Sequence, residues 1–168
     1  PYTTLFRSLT KTRDEETGTR IVIHAGEIQE MEDTACREGT SITVRNLFYN
    51  VPARRKFLKK PATESGYVSD LVNKIALGHP EVAIHYINNG NTVLHTAGNN
   101  DPKTAGFYVY GKDAANSMLP ISYRKGEYAV SGLIGKPEFC RANRNYENLF
   151  INGRFIKNPV VSAAVEDA

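Results

Sequence analysis

The stretch Gly39 to Lys60, GTSITVRNLFYNVPARRKFLKK, limits what this chain can become more than any other. Ser41 to Val44 alternates polar and apolar residues and is rich in β-branched side chains, the pattern of a strand. Asn46 to Val51 leaves that strand with two aromatics, Phe48 and Tyr49. Pro52 then sets φ at the first turn of a helix, where its missing N–H costs little. Val51 or Asn50 is the cap position, Asn50 being chemically the better one. The helix is predicted over Ala53 to Lys60, with Phe57 and Leu58 as its apolar residues. Arg45, Arg54, Arg55, Lys56, Lys59 and Lys60 carry positive charge with no acid among them. Such a run is either a solvated basic helix or an electropositive face for phosphates, and composition alone does not separate the two.

The whole chain has 168 residues, enough for one ordinary domain or two small ones. Its 40% hydrophobic and 23% charged residues are a globular balance, and the net charge of +3 matters less than where the cations cluster. Two cysteines, Cys36 and Cys140, are too few for a disulfide scaffold. No apolar run approaches membrane-spanning length, and PYTTLFRS at the start has no signal-peptide pattern.

Taken in order, Leu9 to Arg13 is a short strand candidate, followed by a polar turn at residues 14–18. Thr19 to His24 forms a strand, Ala25-Gly26 a tight reversal, and Glu27 to Ala35 the returning strand. Ile28 and Met31 break the alternation there and suggest a bulge or a late start. Glu27, Glu30, Glu32 and Asp33 make an acidic cluster without histidine partners, which favours a solvated edge over a metal site. After the basic stretch, Pro61-Ala62 interrupts and a helix starts near Thr63. Its apolar face is Val68, Leu71, Val72 and Ile75, and Gly78 with Pro80 ends it.

Glu81–Ile87 and Thr92–Thr96 flank Asn88-Asn89-Gly90-Asn91, a hairpin signal. His85 and His95 sit on these strands and are taken as ordinary strand residues. Ala97 to Lys103 is turn-rich and marks a domain boundary. Beyond it, Thr104 to Asn116 is ambiguous between helix and strand. Pro120–Tyr123 and Tyr128–Ile134 read as strands, Phe139–Arg144 as a basic loop, and Asn148–Ile151 as a strand running into the turn Asn152-Gly153, with Arg154–Lys157 following as its partner or continuation. Pro159 to Asp167 begins a helix.

Gly106 to Asp113 has the spacing of a phosphate-binding loop up to its last position, but Asp113 stands where a magnesium-binding hydroxyl is required and the loop is aromatic. There is no nucleophile elbow, zinc spacing or kinase motif, so no catalytic constellation is legible and no catalytic or metal-binding residue is assigned.

Leu47-Phe48-Tyr49-Asn50-Val51-Pro52-Ala53-Arg54-Arg55-Lys56-Phe57, led by Gly39-Thr40, closely resembles the LFYN-x-PAR-x-KF segment of MutL-type DNA mismatch repair proteins. Asn50, Pro52, Ala53, Arg54 and Arg55 are the signature positions. The resemblance continues through Val130–Pro137 and Phe150–Arg154 and covers about Leu9 to Ala168. It implies an α+β fold: the C-terminal part of a GHKL ATPase α/β sandwich over 9–100, then the start of a transducer domain with the ribosomal-protein-like fold over 101–168. Residues 1–8 are unlike the family and are expected to be a non-native leader.

The resemblance implies an ATP-dependent, dimerising matchmaker that couples mismatch recognition to downstream repair and binds DNA without sequence preference. ATP and magnesium are the cofactors implied for the intact protein. DNA, a mismatch-recognition protein and a downstream nuclease or helicase are the implied partners, the cytoplasm is the implied location, and no membrane is involved. In that family the water-activating glutamate, the magnesium-binding asparagine and the ATP lid precede the part matched here, and a γ-phosphate lysine follows it. This stretch alone is therefore expected to be inactive and to hold no nucleotide tightly. Gly39 and Thr40 match the last ATP-site motif, where the threonine hydroxyl joins the hydrogen bonds around adenine. Asn152-Gly153-Arg154 and Lys157, preceded by Arg141 and Arg144, match the basic turn implicated in DNA contact, although Pro159 stands where many relatives carry another basic residue. Two other readings are a non-catalytic basic nucleic-acid-binding module and another GHKL ATPase such as a gyrase B relative.

Overall fold

A computed structural model describes residues 5–139 and 144–167. It divides into two compact units, Pro1–Lys60 and Pro61–Ala168.

The first unit is an antiparallel sheet of β1 (Leu5–Lys11), β2 (Gly18–His24), β3 (Glu27–Thr34) and β4 (Gly39–Arg45), in the order β3-β2-β1-β4. Leu5 to Ser8, expected to be part of a non-native leader, form the first part of central strand β1, where they pair with both β2 and β4. Ala25 and Gly26 turn β2 into β3 with positive φ at both positions, the twist that a two-residue hairpin loop needs. The break in alternation on β3 is a bulge: Val22 pairs with Glu30 and Ile23 with Ile28, leaving Gln29 extra. The bulge restores the pattern. With it, the register puts Phe6, Ile21, Ile23, Ile28, Met31, Ile42 and Val44 on one face. Gly18 is buried because a Cβ there would sit 2.3 Å from Cys36 Sγ and 2.6 Å from the Thr10 carbonyl oxygen.

The predicted helix over Ala53–Lys60 is corrected to a single turn, α1 (Pro52–Arg55). Its cap is Val51, not Asn50, and Val51 supplies no side-chain hydrogen bond. Pro52 stands at the first position as expected. An uncapped first turn, cations in place of acids near the helix N-terminus, and Pro61 disfavouring helical backbone at Lys60 together keep the helix short.

In the second unit α2 (Pro61–Gly78) begins two residues before the expected Thr63 and ends at Gly78. The face it turns inward is not the predicted one. Ala76 is buried, while Val68, Leu71 and Ile75 are exposed. Ser65 and Ser69 bond Asn88 and Tyr86 of the following hairpin. That hairpin is β5 (His85–Asn88) and β6 (Asn91–His95), closed by Asn89-Gly90 with positive φ at both. The segment before it, predicted as strand from Glu81, is held instead by Thr96. Thr96 is 5% exposed; its hydroxyl accepts from the Ile84 N–H at 2.9 Å and donates to the Val82 carbonyl at 3.2 Å.

The turn-rich stretch 97–103, expected to be a domain boundary, lies within the second compact unit. Gly98, at φ +65°, lies against Ala83, and Asp101 caps α3 (Pro102–Tyr110) by accepting from the N–H groups of Lys103 and Thr104. These contacts tie the two sides together, and α2 also packs on α3. The ambiguous 104–116 segment is helical, α3 followed by α4 (Lys112–Asn116). The rejected phosphate loop is therefore largely helix, with Gly106 packed against Met118 and Leu133. β7 (Met118–Lys125) and β8 (Tyr128–Gly135) form a long hairpin, β9 (Leu149–Ile151) and β10 (Arg154–Ile156) a short one, and α5 (Pro159–Glu166) follows. Leu94, Ala105, Ala114, Ala115, Ala76 and Thr96 are buried in this unit.

Candidate functional site

Gly39 opens β4 at φ +111°, a backbone that side-chain-bearing residues rarely adopt. It delivers Thr40 opposite Thr10 in the β1–β4 register, and the two hydroxyls lie 2.8 Å apart. Each hydroxyl can both donate and accept, so Thr40 keeps capacity for a further bond after this one. It lines an open recess of about 360 Å³ with Leu9 and residues 35–41.

The signature segment follows β4. Asn46 and Phe48 have positive φ, and the Tyr49 and Val51 N–H groups bond back to the Asn46 and Phe48 carbonyls, folding the chain tightly before Pro52. Ala53, Arg54 and Arg55 are exposed on the one-turn helix. Arg54 and Arg55 thus present charge to solvent without converging on Thr40's recess, whose lining they do not join.

The third candidate is the turn between β9 and β10. Asn152 (φ +50°) and Gly153 (φ +75°) form the two-residue loop. Arg154 pairs with Ile151 and is exposed. Phe155 and Ile156 turn partly inward, Phe155 meeting Phe150 edge-on at 5.9 Å. Lys157 is exposed at the strand exit. Asn158 then caps α5, its Oδ1 accepting from the Val160 and Val161 N–H groups, with Pro159 at the first position. Pro159 therefore has a helix-starting role here.

Arg144 differs from these two cations. Its guanidinium makes a two-pronged pair with Glu166, at 2.7 and 2.6 Å, and approaches Glu147 at 3.9 Å. Glu166 holds the guanidinium protonated beyond its ordinary range, and Arg144 in turn holds the Glu166 carboxyl below the usual carboxylate range. Its charge is largely answered within the fold. Arg141 lies outside the described residues.

Beside the turn is a recess of about 580 Å³ whose lining includes Asp70, Lys74, Arg144, Glu147, Lys157 and Asn158. Lys74 pairs with Asp70 one helical turn earlier and sits 4.7 Å from the centre of the Phe155 ring. The recess carries both signs of charge, and of the two exposed cations near the turn only Lys157 joins its lining; Arg154 does not. Sequence reading missed Lys74; its spacing from Asp70 was the available signal.

On the edge strand, Arg20 pairs with Glu30 at 3.1 Å and Glu32 at 2.5 Å, so two of the four acids answer a cation. His85 and His95 do face each other across the hairpin, with rings stacked at 4.7 Å, and His85 Nε2 lies 2.9 Å from the Thr92 hydroxyl. Among the described residues no group of three side chains is arranged to hold a metal. Also among them, no helix is long and apolar enough to cross a membrane.

Residues 107–168 match the family profile described as "DNA mismatch repair protein, C-terminal domain". The DNA mismatch repair protein MutL of Agathobacter rectalis is 47% identical over 160 residues, covering 95% of this chain and 25% of that protein. MutL of Shouchella clausii is 43% identical over 149 residues, or 89% of this chain and 23% of that protein. The chain thus spans about a quarter of the length of these curated relatives. Among solved structures, the Aquifex aeolicus MutL ATPase domain complexed with ADP superposes with a TM-score of 0.81 at 25% identity, covering 99% of this chain and 64% of that one.

Proposed function

The chain belongs to the MutL family of DNA mismatch repair proteins, with the α+β fold of a GHKL ATPase domain running into a transducer, and from that premise we propose that it supplies two working surfaces to the intact protein. One is the edge of a nucleotide site at Gly39 and Thr40. The other is a DNA-binding turn at Arg154 and Lys157, which Arg141 and Arg144 precede in the sequence. In the intact protein ATP and magnesium binding drives dimerisation of the N-terminal region, and hydrolysis resets it. That cycle couples a mismatch-recognition protein to a downstream nuclease or helicase in the cytoplasm. The matched names favour this reading over a gyrase B relative or a free-standing basic module.

The observation that carries the DNA surface is the fixed geometry of the turn. Positive φ at Asn152 and Gly153 locks the loop, and the T-shaped Phe150–Phe155 pair holds the strands beneath it. Arg154 and Lys157 are thereby presented outward, and neither is tied to an acid among the described residues as Arg144 is to Glu166. Cations placed this way reach phosphates and not base edges, which suits a protein that acts wherever a mismatch occurs. The nucleotide surface rests on a smaller base. Thr40 keeps hydrogen-bonding capacity on the wall of a recess, and leaving such a hydroxyl unmatched against a bound base would be costly. No residue of this chain is assigned to magnesium.

The test is duplex DNA binding by the full-length protein across a salt series. Arg154→Glu should weaken binding at every sequence tested. It should also make the slope of log affinity against log salt shallower by about one for each phosphate no longer neutralised. Undiminished affinity with an unchanged slope would remove the turn from the DNA surface.

A further inference from the structure

The Asn152-Gly153 turn does not stand alone. Gly78, the last residue of α2, lies under the Phe150 ring, where an added Cβ would sit 2.6 Å from Cε1. The next residue, His79, reaches the turn itself. A Cβ built on Gly153 would meet its Cε1 at 3.5 Å and its Nε2 at 4.0 Å. His79 Nδ1 lies 3.0 Å from Glu81 Oε1, which fixes the ring and leaves Nε2 as the nitrogen on the Gly153 side. The His79 side chain is 44% exposed, so that edge is open to a ligand arriving at the turn.

We propose that His79 is a further phosphate-binding residue of this turn, and that the His79–Glu81 pair makes DNA binding through Arg154 and Lys157 dependent on pH. The inference rests on the DNA-binding reading of the turn. The charged groups on the elements that meet here are Glu81 on His79's own segment, Arg154 directly after Gly153, and Lys157 at the exit of β10. Lys74 and Asp70, one turn back on α2, answer each other.

Imidazole is the side chain that ordinarily changes charge between pH 5 and 8. While the imidazole is neutral, it can donate Nδ1–H to Glu81, but the pair keeps the carboxylate's net negative charge beside the turn, and an arriving phosphate is repelled within a screening length. Glu81 stays ionised throughout that interval, because its own backbone N–H, and after it the His79 side chain, hold the carboxyl below the usual carboxylate range. Protonated His79 cancels that charge and offers Nε2–H as a donor. The same residue thus removes a repulsion and adds a hydrogen bond as pH falls.

The experiment measures duplex DNA binding by the full-length protein at about pH 6 and about pH 8 at one salt concentration, spanning the interval over which imidazole ordinarily changes charge. The wild type should bind roughly fivefold more tightly at the lower pH, the size expected for one partly screened unit charge. His79→Gln should lose most of that difference, and Glu81→Gln should bind more tightly than the wild type at the higher pH. Retention of the wild-type pH dependence by His79→Gln overturns the proposal, as does a Glu81→Gln protein indistinguishable from wild type at the higher pH. Arg154→Glu separates the two layers. If it abolishes binding while both the His79 and Glu81 variants behave as wild type, only this inference falls. If it changes nothing, the reading of the turn falls with it.

Discussion

In residues 5–45 large apolar side chains gather on one open sheet face, whereas residues 61–167 bury a small core and leave large apolar side chains of α2, β7 and β8 exposed around it. Ile28, Met31, Ile42 and Val44 of the first unit are each more than half exposed, and Val22 is the buried apolar side chain among its described residues. The second unit buries Leu94 and four alanines and satisfies Thr96 among them. The second unit has a small buried core of its own. The first presents an apolar sheet face, the kind of patch that marks a surface another element or partner covers. The functional candidates divide in the same way. Arg154 and Lys157 sit on a turn whose supports lie within its own unit, while Thr40, on the reading proposed above, is one edge of a nucleotide site to which other elements contribute.

The comparison breaks most directly at the core. Leu94→Ala, at a residue 4% exposed, should cost about 2–5 kcal/mol and be plain in a thermal melt of the chain. Ile42→Ala, at a residue 60% exposed, should cost less than about 0.5 kcal/mol in the same chain. In the full-length protein Ile42→Ala should become far more damaging, and equal small effects in both settings would show that nothing covers the sheet.

A smaller effect distinguishes two glycines of α2. Gly78→Ala would drive a methyl into the Phe150 ring and should destabilise by about 1–3 kcal/mol, disturbing the β9–β10 turn. Gly66→Ala meets nothing within 4 Å and should stabilise by about 0.4–1 kcal/mol through the unfolded state. Calorimetry on the pair reads both signs.

Thr40→Val should lower nucleotide affinity of the full-length protein about five- to tenfold, the worth of one hydrogen bond, with DNA affinity at the turn unchanged. The smallest expected change is alkaline. Burial pushes the Tyr110 phenol up to about 12 even though Asn148 donates to it. A raised folded-state value contributes stability that is whole below the ordinary phenol range near 10 and fades as pH climbs towards 12. Tyr110→Phe should flatten that part of the stability–pH curve, and an unchanged alkaline slope would place the effect elsewhere.

What could be read from the sequence was local. Asn89-Gly90, Asn152-Gly153 and Ala25-Gly26 each announced a turn, because few residues accept the positive φ these turns demand. Pro52 and Pro159 stand at helix starts for an equally local reason. What could not be read depended on partners distant in sequence. Leu5–Ser8 look unremarkable until β2 and β4 flank them. The stripe that α2 turns inward is chosen by the hairpin that Ser65 and Ser69 bond, not by the helix's own largest residues. Arg144 resembles Arg154 in the sequence, and only folding brings Glu166 to it. His79 next to Gly153 carried no sequence signal at all, since packing of a loop on a turn leaves no periodicity.

Hydrogen exchange on the full-length protein, with ATP and magnesium in one sample and duplex DNA in another, tests the division of labour most directly. The account predicts that nucleotide slows exchange across β4 from Gly39 to Arg45, and that DNA slows it across residues 152–157. Nucleotide leaving β4 unprotected, together with DNA protecting the first unit in place of the turn, would contradict it.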